Sequence, residues 1–195
     1  MTEVDDVVDA LRVGGVVVLP TDTIYGLAAL PTDAAAVERV FELKGRRADV
    51  PLAVLCGSAA QALELAEPVA GVDAVAARFW PGPLTLVLPR RSGVLLHLGE
   101  PQHTVGLRVP DHELVRAGAD RIGPIAVTSA NRHGEPTDVT AAGAAASLTG
   151  APDLVVDGGP LEATASTVVD ATVSPWVVLR QGGIDPAEVI ATGIT

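Results

Sequence analysis

Apolar residues recur along this chain at two spacings, one typical of helices and the other typical of buried strands. Residues 4–13 and 34–43 place apolar side chains three or four positions apart, which predicts amphipathic helices. Short runs rich in Val and Leu, bounded by Gly, Pro or Asp, predict buried strands instead. The predicted strands cover 16–19, 51–56, 84–88, 104–109, 125–127, 154–156, 166–169 and 177–179. Further helices are predicted at 58–66, 72–79, 112–118 and 139–148, with a short one after Asp185.

Helices and strands interleave along the sequence, but several strands follow one another with no helix between them. This order predicts an α/β fold with a strongly twisted mixed β-sheet and flanking helices rather than a regular doubly wound sheet. The sequence contains no repeat, no low-complexity linker and no sharp change in composition. We therefore expect a single domain over residues 1–195.

Composition narrows the class of protein. Hydrophobic residues make up 48% of the chain and aromatic residues only 3%, so the core must consist of Val, Leu, Ala and Ile. No apolar run approaches the ~20 residues that a membrane span needs, and the acidic start lacks the pattern of a signal peptide. The one cysteine, Cys56, excludes an internal disulfide and fits a reducing compartment. We expect a cytoplasmic protein.

The net charge of −11 argues against a broad surface that grips nucleic-acid phosphates. It does not exclude a local basic pocket, because net charge says nothing about where the cations cluster. The chain has thirteen cationic side chains, and all but Lys44 are arginines. That one lysine is therefore a candidate for a specific role.

Several apolar strands end in small hydroxyl, amide or guanidinium groups. These are Thr21 to Thr23, Thr128 to Asn131, Ser166 with Thr167, and Arg180, and further positive charge comes from Lys44, Arg46, Arg47 and Arg108. Such groups suit phosphates and carboxylates, which take charge-assisted hydrogen bonds and arginine forks. The sequence lacks a phosphate loop, a dinucleotide fingerprint, zinc-ligand spacing and a nucleophile elbow. The pattern predicts a site that positions and neutralises anions, as phosphoryl or nucleotidyl transfer requires.

Each of these pieces also has a structural interpretation. Thr21 to Thr23 could form a turn that satisfies its own backbone, and residues 44–47 could complement a helix dipole. Ser129 and Asn131 could cap the following segment. Arg108 is harder to explain in this way, because a guanidinium in an apolar strand needs a partner.

Seven sequence blocks occur in a fixed order: PTDTIYGL (20–27), KGRR followed by PL (44–52), WPGPLTLVL (80–88), VGLRVP (105–110), TSAN (128–131), STVVD (166–170) and LRQGG (179–183). Together they resemble the YrdC-type threonylcarbamoyl-AMP synthases over nearly the whole chain. The resemblance implies a twisted sheet around a concave, positively lined cavity. It also implies a reaction that joins L-threonine, bicarbonate or CO2, and ATP into threonylcarbamoyl-AMP and pyrophosphate. Mg²⁺ accompanies the ATP, and the product passes to downstream tRNA threonylcarbamoyl-transferase proteins for tRNA modification.

The resemblance assigns roles to ten residues without assigning a protein nucleophile or base. The residues implied for L-threonine are Thr23, Arg108, Thr128 and Ser166. The residues implied for ATP are Lys44, Arg46, Thr104, Ser129, Asn131 and Arg180, with Lys44 and Arg46 on the phosphates. The ligands of the metal are not indicated.

The sequence departs from the family pattern at two positions. Many relatives have a histidine near threonine where this chain has Leu55, and some have proline at the position of Arg47. Longer relatives add a C-terminal domain, so the chain resembles the short, single-domain bacterial type.

Two other functions remain open at this point. One is a non-catalytic RNA-binding module that uses the same basic cavity, or a weak RNA contact beside catalysis. The other is a carbamoyl-adenylate-forming domain like those of hydrogenase-maturation proteins, although the neighbouring segments of those longer chains are absent here.

Overall fold

A computed structural model describes residues 2–162 and 164–193. The nine strands within these ranges form one mixed sheet. The strands are β1 (Val17–Leu19), β2 (Gly26–Ala29), β3 (Ala53–Leu55), β4 (Leu84–Pro89), β5 (Thr104–Arg108), β6 (Ile125–Ser129), β7 (Leu154–Val155), β8 (Thr167–Asp170) and β9 (Val177–Arg180). Their order is β7-β1-β2-β6-β3-β5-β4-β8-β9. The pairs β1/β7, β3/β5 and β4/β8 are parallel and the other pairs are antiparallel. The mixed α/β fold predicted from the sequence is confirmed.

Seven helices within the described residues flank the sheet. They are α1 (Glu3–Arg12), α2 (Ala34–Lys44), α3 (Ala59–Leu63), α4 (Val72–Phe79), α5 (Glu113–Ile122), α6 (Ala141–Ala146) and α7 (Pro186–Gly193). Several begin at side chains that accept hydrogen bonds from the first turn, among them Asp33 for α2 and Ser58 for α3. Helix α2 ends at Gly45, whose φ of 61° is the left-handed conformation that glycine adopts at little cost.

The two faces of the sheet are covered differently. The larger core cluster packs apolar residues of α2, α3, α4, α6 and α7 against one face. A smaller cluster packs α1 and α5 against the strands on the other side of the sheet, and it includes Leu55 of β3 and Val127 of β6. Both of these residues also line the cavity described below. Helices α1 and α5 therefore leave part of this face open, and the open part is where a site can form.

Two details differ from the sequence-based predictions. Strand β2 was not predicted, because Gly-Leu-Ala-Ala has little intrinsic strand preference; its ladders with β1 and β6 make it a strand. Helix α5 was predicted over 112–118 but spans Glu113–Ile122; its N-cap, His112, makes no side-chain capping bond, and Asp111 accepts a bond from Arg116.

None of the helices in the described ranges combines the length and the hydropathy needed to cross a membrane.

Candidate functional site

A cavity of about 360 Å³ lies against the part of the sheet face that α1 and α5 leave open. Its walls follow the two-residue period of strands, since Thr104, Gly106 and Arg108 of β5 line it together with Thr85 and Val87 of β4. The intervening residues of these strands belong to the larger core on the opposite face. Alternate side chains of neighbouring strands therefore line the cavity.

Eight of the ten residues singled out in the sequence line this cavity: Thr23, Arg46, Thr104, Arg108, Thr128, Ser129, Ser166 and Arg180. The other two, Lys44 and Asn131, do not line it but contact each other and Ser129. Blocks that are far apart in the sequence thus meet around one space. Among the described residues, no aspartate or glutamate lines the cavity.

Arg108 anchors one end of the cavity and is almost fully buried. Its Nε donates to the carbonyl of Gly82 at 3.1 Å, one terminal nitrogen donates to Thr23 Oγ1 at 2.9 Å, and the other donates to Asp22 Oδ1 at 2.5 Å. Burial lowers the pKa of Arg108, and the Asp22 carboxylate opposes that shift. A guanidinium has five N–H groups, and the hydrogen bonds to described residues leave one N–H on each terminal nitrogen for a ligand.

Within the stretch Thr21 to Thr23, which was expected to form a turn or bind a ligand, Thr21 holds the turn before β2. Thr21 Oγ1 accepts from the backbone of Thr23 and Ile24 at 3.1 and 3.2 Å and lies 2.9 Å from Thr23 Oγ1. Asp22 is free to pair with Arg108 because Thr21 satisfies the turn. The turn and the ligand-binding interpretations of this stretch are therefore compatible.

Ser166 and Arg180 form a second polar unit on the neighbouring strands. Arg180 donates from Nε to the carbonyl of Ser166 and from a terminal nitrogen to Ser166 Oγ, both at 2.9 Å. Ser166 Oγ also lies 2.9 Å from Thr85 Oγ1. The sequence assigned Ser166 to threonine and Arg180 to the nucleotide, whereas the structure places them in direct contact. Burial lowers the pKa of Arg180, and its charge lowers the pKa of Arg108.

Lys44 ends α2 and is 2% exposed. Its Nζ lies within hydrogen-bonding distance of four neutral oxygens: the carbonyl and Oγ of Ser129 at 2.7 and 3.1 Å, and the carbonyl and Oδ1 of Asn131 at 3.1 and 2.8 Å. None of the ion pairs formed by the described residues includes Lys44. Burial, with a smaller effect of Arg46, lowers the pKa of Lys44 to about 8.

Arg46 lies on the loop that follows α2 and completes this end of the cavity. Its guanidinium lies 5.6 Å from the ring centroid of Phe41 and donates to the carbonyls of Val50 and Pro51. Arg46 Nε is buried without a hydrogen-bond partner among the described residues. Burial lowers the pKa of Arg46, and Asp49 partly opposes the shift.

Sequence reasoning missed Thr85 and the pairing role of Asp22. The signal for Thr85 was a lone hydroxyl in an otherwise apolar strand, LTLVL, but the sequence alone did not say which face it occupies. Leu55, noted in the sequence as a departure from the family pattern, does line the cavity. Its neighbour Cys56 belongs to the core on the other face, and burial raises the pKa of its thiol to about 12.

The chemistry available in the cavity is recognition of anions and hydroxyl-bearing ligands. Arginines and hydroxyls surround a space with no carboxylate in its lining. Among the described residues, no group of three or more His, Cys, Asp or Glu side chains could hold a metal ion. A metal at this site would therefore have to be held mainly by oxygens of the ligand.

Comparison with known proteins places these observations in a wider context. The family model Sua5/YciO/YrdC, described as telomere recombination, matches residues 9–182. The chain is 40% identical over 182 residues to the threonylcarbamoyl-AMP synthase of Pyrococcus abyssi, covering 92% of this chain and 54% of that protein. It is 38% identical over 185 residues to a putative threonylcarbamoyl-AMP synthase of Mycobacterium leprae, covering 93% and 84% of the two chains.

A solved structure extends the similarity to three dimensions. The crystal structure of P. abyssi Sua5 complexed with L-threonine superposes with a TM-score of 0.87 at 37% identity, over 97% of this chain and 56% of that one. The chain thus spans about half the length of the archaeal relatives it matches and most of the length of the mycobacterial one.

Proposed function

The chain belongs to the Sua5/YciO/YrdC family, and we propose that it is an L-threonylcarbamoyladenylate synthase, a nucleotidyltransferase. In the proposed reaction, the amine of L-threonine adds to CO2, supplied as such or from bicarbonate, and loses a proton to give a carbamate. A carbamate oxygen then attacks the α-phosphorus of ATP. The bond from the α-phosphorus to the bridging oxygen of the β-phosphate breaks, and pyrophosphate leaves with that oxygen.

The observation that carries the proposal is the division of positive charge around the cavity. At one end, Arg108 is fixed by three hydrogen bonds and keeps N–H groups for a small anion such as a carboxylate. At the other end, Lys44 and Arg46 are buried or half-buried cations with no carboxylate partner in the described ranges. A polyanion is the ligand that compensates such charges best.

Under this proposal, Arg108 and Thr23 bind the carboxylate of L-threonine, with Thr128 and Ser166 near the amino acid. Arg46, Ser129 and Arg180 bind ATP, and Thr104 lies close to the nucleotide. Lys44 and Asn131 act one step further out, because they hold Ser129 at the end of β6 while adding charge to the field of the cavity. Fixed cations stabilise the charge that builds up on the phosphates as pyrophosphate departs.

Mg²⁺ enters this scheme as part of the MgATP substrate. Asp22, beside the cavity, pairs with Arg108, and the described residues contain no group of three or more His, Cys, Asp or Glu side chains that could hold the ion. Mg²⁺ commonly binds mainly to substrate phosphates and water. Its contribution is to neutralise charge on the leaving pyrophosphate. The adenylate product then serves as the activated donor for tRNA threonylcarbamoyl transfer by downstream proteins.

Pyrophosphate release tests the proposal directly. The purified protein is incubated with MgATP, L-threonine and bicarbonate, and each component is omitted in turn. We expect release only when all three are present, together with transfer of isotopic label from bicarbonate into an adenylate. Release at an equal rate without threonine would contradict the proposal.

A matched pair of variants locates the activity. Arg108→Ala should weaken L-threonine binding by about 1.5–3 kcal/mol, because a charge-assisted hydrogen bond is lost. Arg12→Ala removes an exposed arginine whose only ion pair is with Asp9, on the surface of α1, and should behave like the unmodified protein. Normal threonine affinity in the Arg108 variant would reject its assigned role.

A further inference from the structure

A carboxylate stands directly beside the position proposed for the substrate carboxylate. Asp22 and Arg108 form the most buried ion pair of the described residues, with side chains 12% and 7% exposed. Placing a negative charge next to a site for anions weakens that site in general. Anion binding alone therefore does not explain why Asp22 lies at this position.

Asp22 acts on the cavity through Arg108 rather than by touching a ligand. Its neighbours Thr21, Thr23 and Ile24 line the cavity, whereas Asp22 does not. Its Oδ1 accepts from Arg108, and its Oδ2 is buried without a partner among the described residues. The carboxylate is thus held in place by the guanidinium that it orients.

The charge of Asp22 is not taken up by a second cation close by. The charge of Asp22 raises the pKa of His112, the N-cap of α5, but burial lowers this pKa by more. His112 is therefore neutral at neutral pH and does not balance the charge of Asp22. Arg116, Asp111 and Glu3 act on His112 with opposing signs. Among the described residues, Arg108 is therefore the direct counter-charge of Asp22. The charge of Arg180 also acts on Arg108, but Arg180 hydrogen-bonds to Ser166 rather than to Asp22. The Asp22–Arg108 pair itself carries no net charge.

A pair with little net charge distinguishes ligands by their own charge. A zwitterionic amino acid carries no net charge, so the field of Asp22 does not repel it as a whole, and its carboxylate can use the remaining N–H groups of Arg108. A phosphate dianion at the same place meets the full repulsion of Asp22. Lys44 and Arg46, at the other end, form no ion pair among the described residues and attract phosphates, although the charge of Asp49 also acts on Arg46.

We propose that Asp22 is a positioning and specificity residue that keeps phosphate groups away from Arg108, so that the amino-acid end of the cavity accepts a monocarboxylate and the polyphosphate is directed to the other end. The assignment of the two ends rests on the proposed function. The exclusion of phosphate from Arg108 is a property of the ion pair itself. Unfavourable charge placed against the wrong ligand is a common source of specificity.

Competition between L-threonine and inorganic phosphate tests the proposal. L-threonine is titrated calorimetrically with and without millimolar phosphate, with potassium chloride at equal ionic strength as the reference. In the unmodified protein, phosphate should leave the threonine Kd almost unchanged. In Asp22→Asn, whose amide oxygen can still accept from Arg108, phosphate should raise the apparent Kd about tenfold or more, because the repulsion is gone. Equal competition in the two proteins would overturn the proposal.

Two further variants separate the role of charge from effects on folding. Asp22→Glu keeps the charge and should still exclude phosphate; if it admits phosphate as Asp22→Asn does, the role of charge is rejected. This variant also decides the question if Asp22→Asn fails to fold. Asp9→Asn removes an exposed carboxylate on α1 and should not change the competition.

Direct titration of phosphate gives an answer even if the protein does not bind threonine. Asp22→Asn should gain a phosphate site that the double variant Asp22→Asn/Arg108→Met lacks. If that site appears without any threonine binding, the proposed function fails while the ion-pair inference stands. If threonine binds normally and no such site appears, the inference fails while the function stands.

Discussion

Arg108 and Lys44 are both buried cations, but different groups surround them: a carboxylate for Arg108 and neutral oxygens for Lys44. Arg108 ends β5 and pairs with a carboxylate, Asp22, at 2.5 Å. Lys44 ends α2 and is surrounded by four neutral oxygens of Ser129 and Asn131. Both side chains pay a desolvation penalty, but only the arginine recovers part of it from an ion pair.

The difference indicates two kinds of ligand environment within one cavity. Arg108 forms an ion pair with Asp22, and the charge of Arg180 also acts on it, so selection depends on hydrogen-bond geometry with Thr23 and on the net charge of the ligand. Lys44 and Arg46 form no ion pair among the described residues, although the charge of Asp49 acts on Arg46, so a polyanion is attracted to them. In this way one cavity can bind the carboxylate of a small zwitterion at Arg108 and the phosphates of a nucleotide near Lys44 and Arg46. Four measurements test this contrast between Arg108 and Lys44.

The largest effect is expected from Arg108→Met, which leaves Asp22 buried without its cation. The free energy of unfolding should fall by about 3–5 kcal/mol, since removing one partner of a buried pair leaves an uncompensated charge. Urea denaturation measures this loss. The double variant Asp22→Asn/Arg108→Met should recover part of it, because no buried charge is left. If the free energy of unfolding falls no more than it does when an exposed ion pair is removed, burial of the Asp22–Arg108 pair does not distinguish Arg108 from Lys44.

Lys44→Met should cost less stability than Arg108→Met, because it leaves no unpaired charge. The expected loss is about 1–3 kcal/mol, the range for buried acceptors that lose their donor, here the oxygens of Ser129 and Asn131. ATP affinity should fall at the same time, while threonine affinity measured without nucleotide should change little. Loss of threonine binding equal to that of ATP binding would contradict the division of the cavity.

The pH dependence of ATP binding reports on Lys44 directly. Burial lowers the pKa of Lys44 to about 8, so the folded protein loses this charge as the pH rises through 8. ATP affinity should be complete below that pH and fall above it, by at most about tenfold per pH unit for a single proton. Lys44→Met should lack this decline. In the unfolded chain the lysine keeps its proton to higher pH, so its contribution to stability rises over the same alkaline range.

The smallest effect is expected from Arg39→Ala, which serves as a control for the first prediction. Arg39 and Asp153 are separated by the same 2.5 Å as Arg108 and Asp22, but their side chains are 39% and 38% exposed. Solvent screening limits such a pair to about 1 kcal/mol or less. Urea denaturation of both variants under one condition measures what burial adds. An equal loss in the two would remove the basis of the comparison.

Most helices and strands could be predicted because their signals are local. The apolar period of α1 and α2, the caps Asp33 and Ser58, and the stop at Gly45 all depend on residues within one or two turns. Strand β2 could not be predicted in this way, because its stability comes from the ladders on either side. The end of α5 at Ile122 was missed for a related reason: packing of Ala119 in the smaller core continues the helix past Gly118.

In the candidate site, too, some features could be predicted from local sequence and others could not. The polar groups at strand ends, and with them most of the cations and hydroxyls that line the cavity, could be predicted from the sequence, although Thr85 was missed. The pairing of Asp22 with Arg108, 86 positions later, and the contacts of Lys44 with Ser129 and Asn131, 85 and 87 positions later, follow from the tertiary structure. These contacts depend on the order of the strands, which burial of the whole core selects and no local pattern encodes.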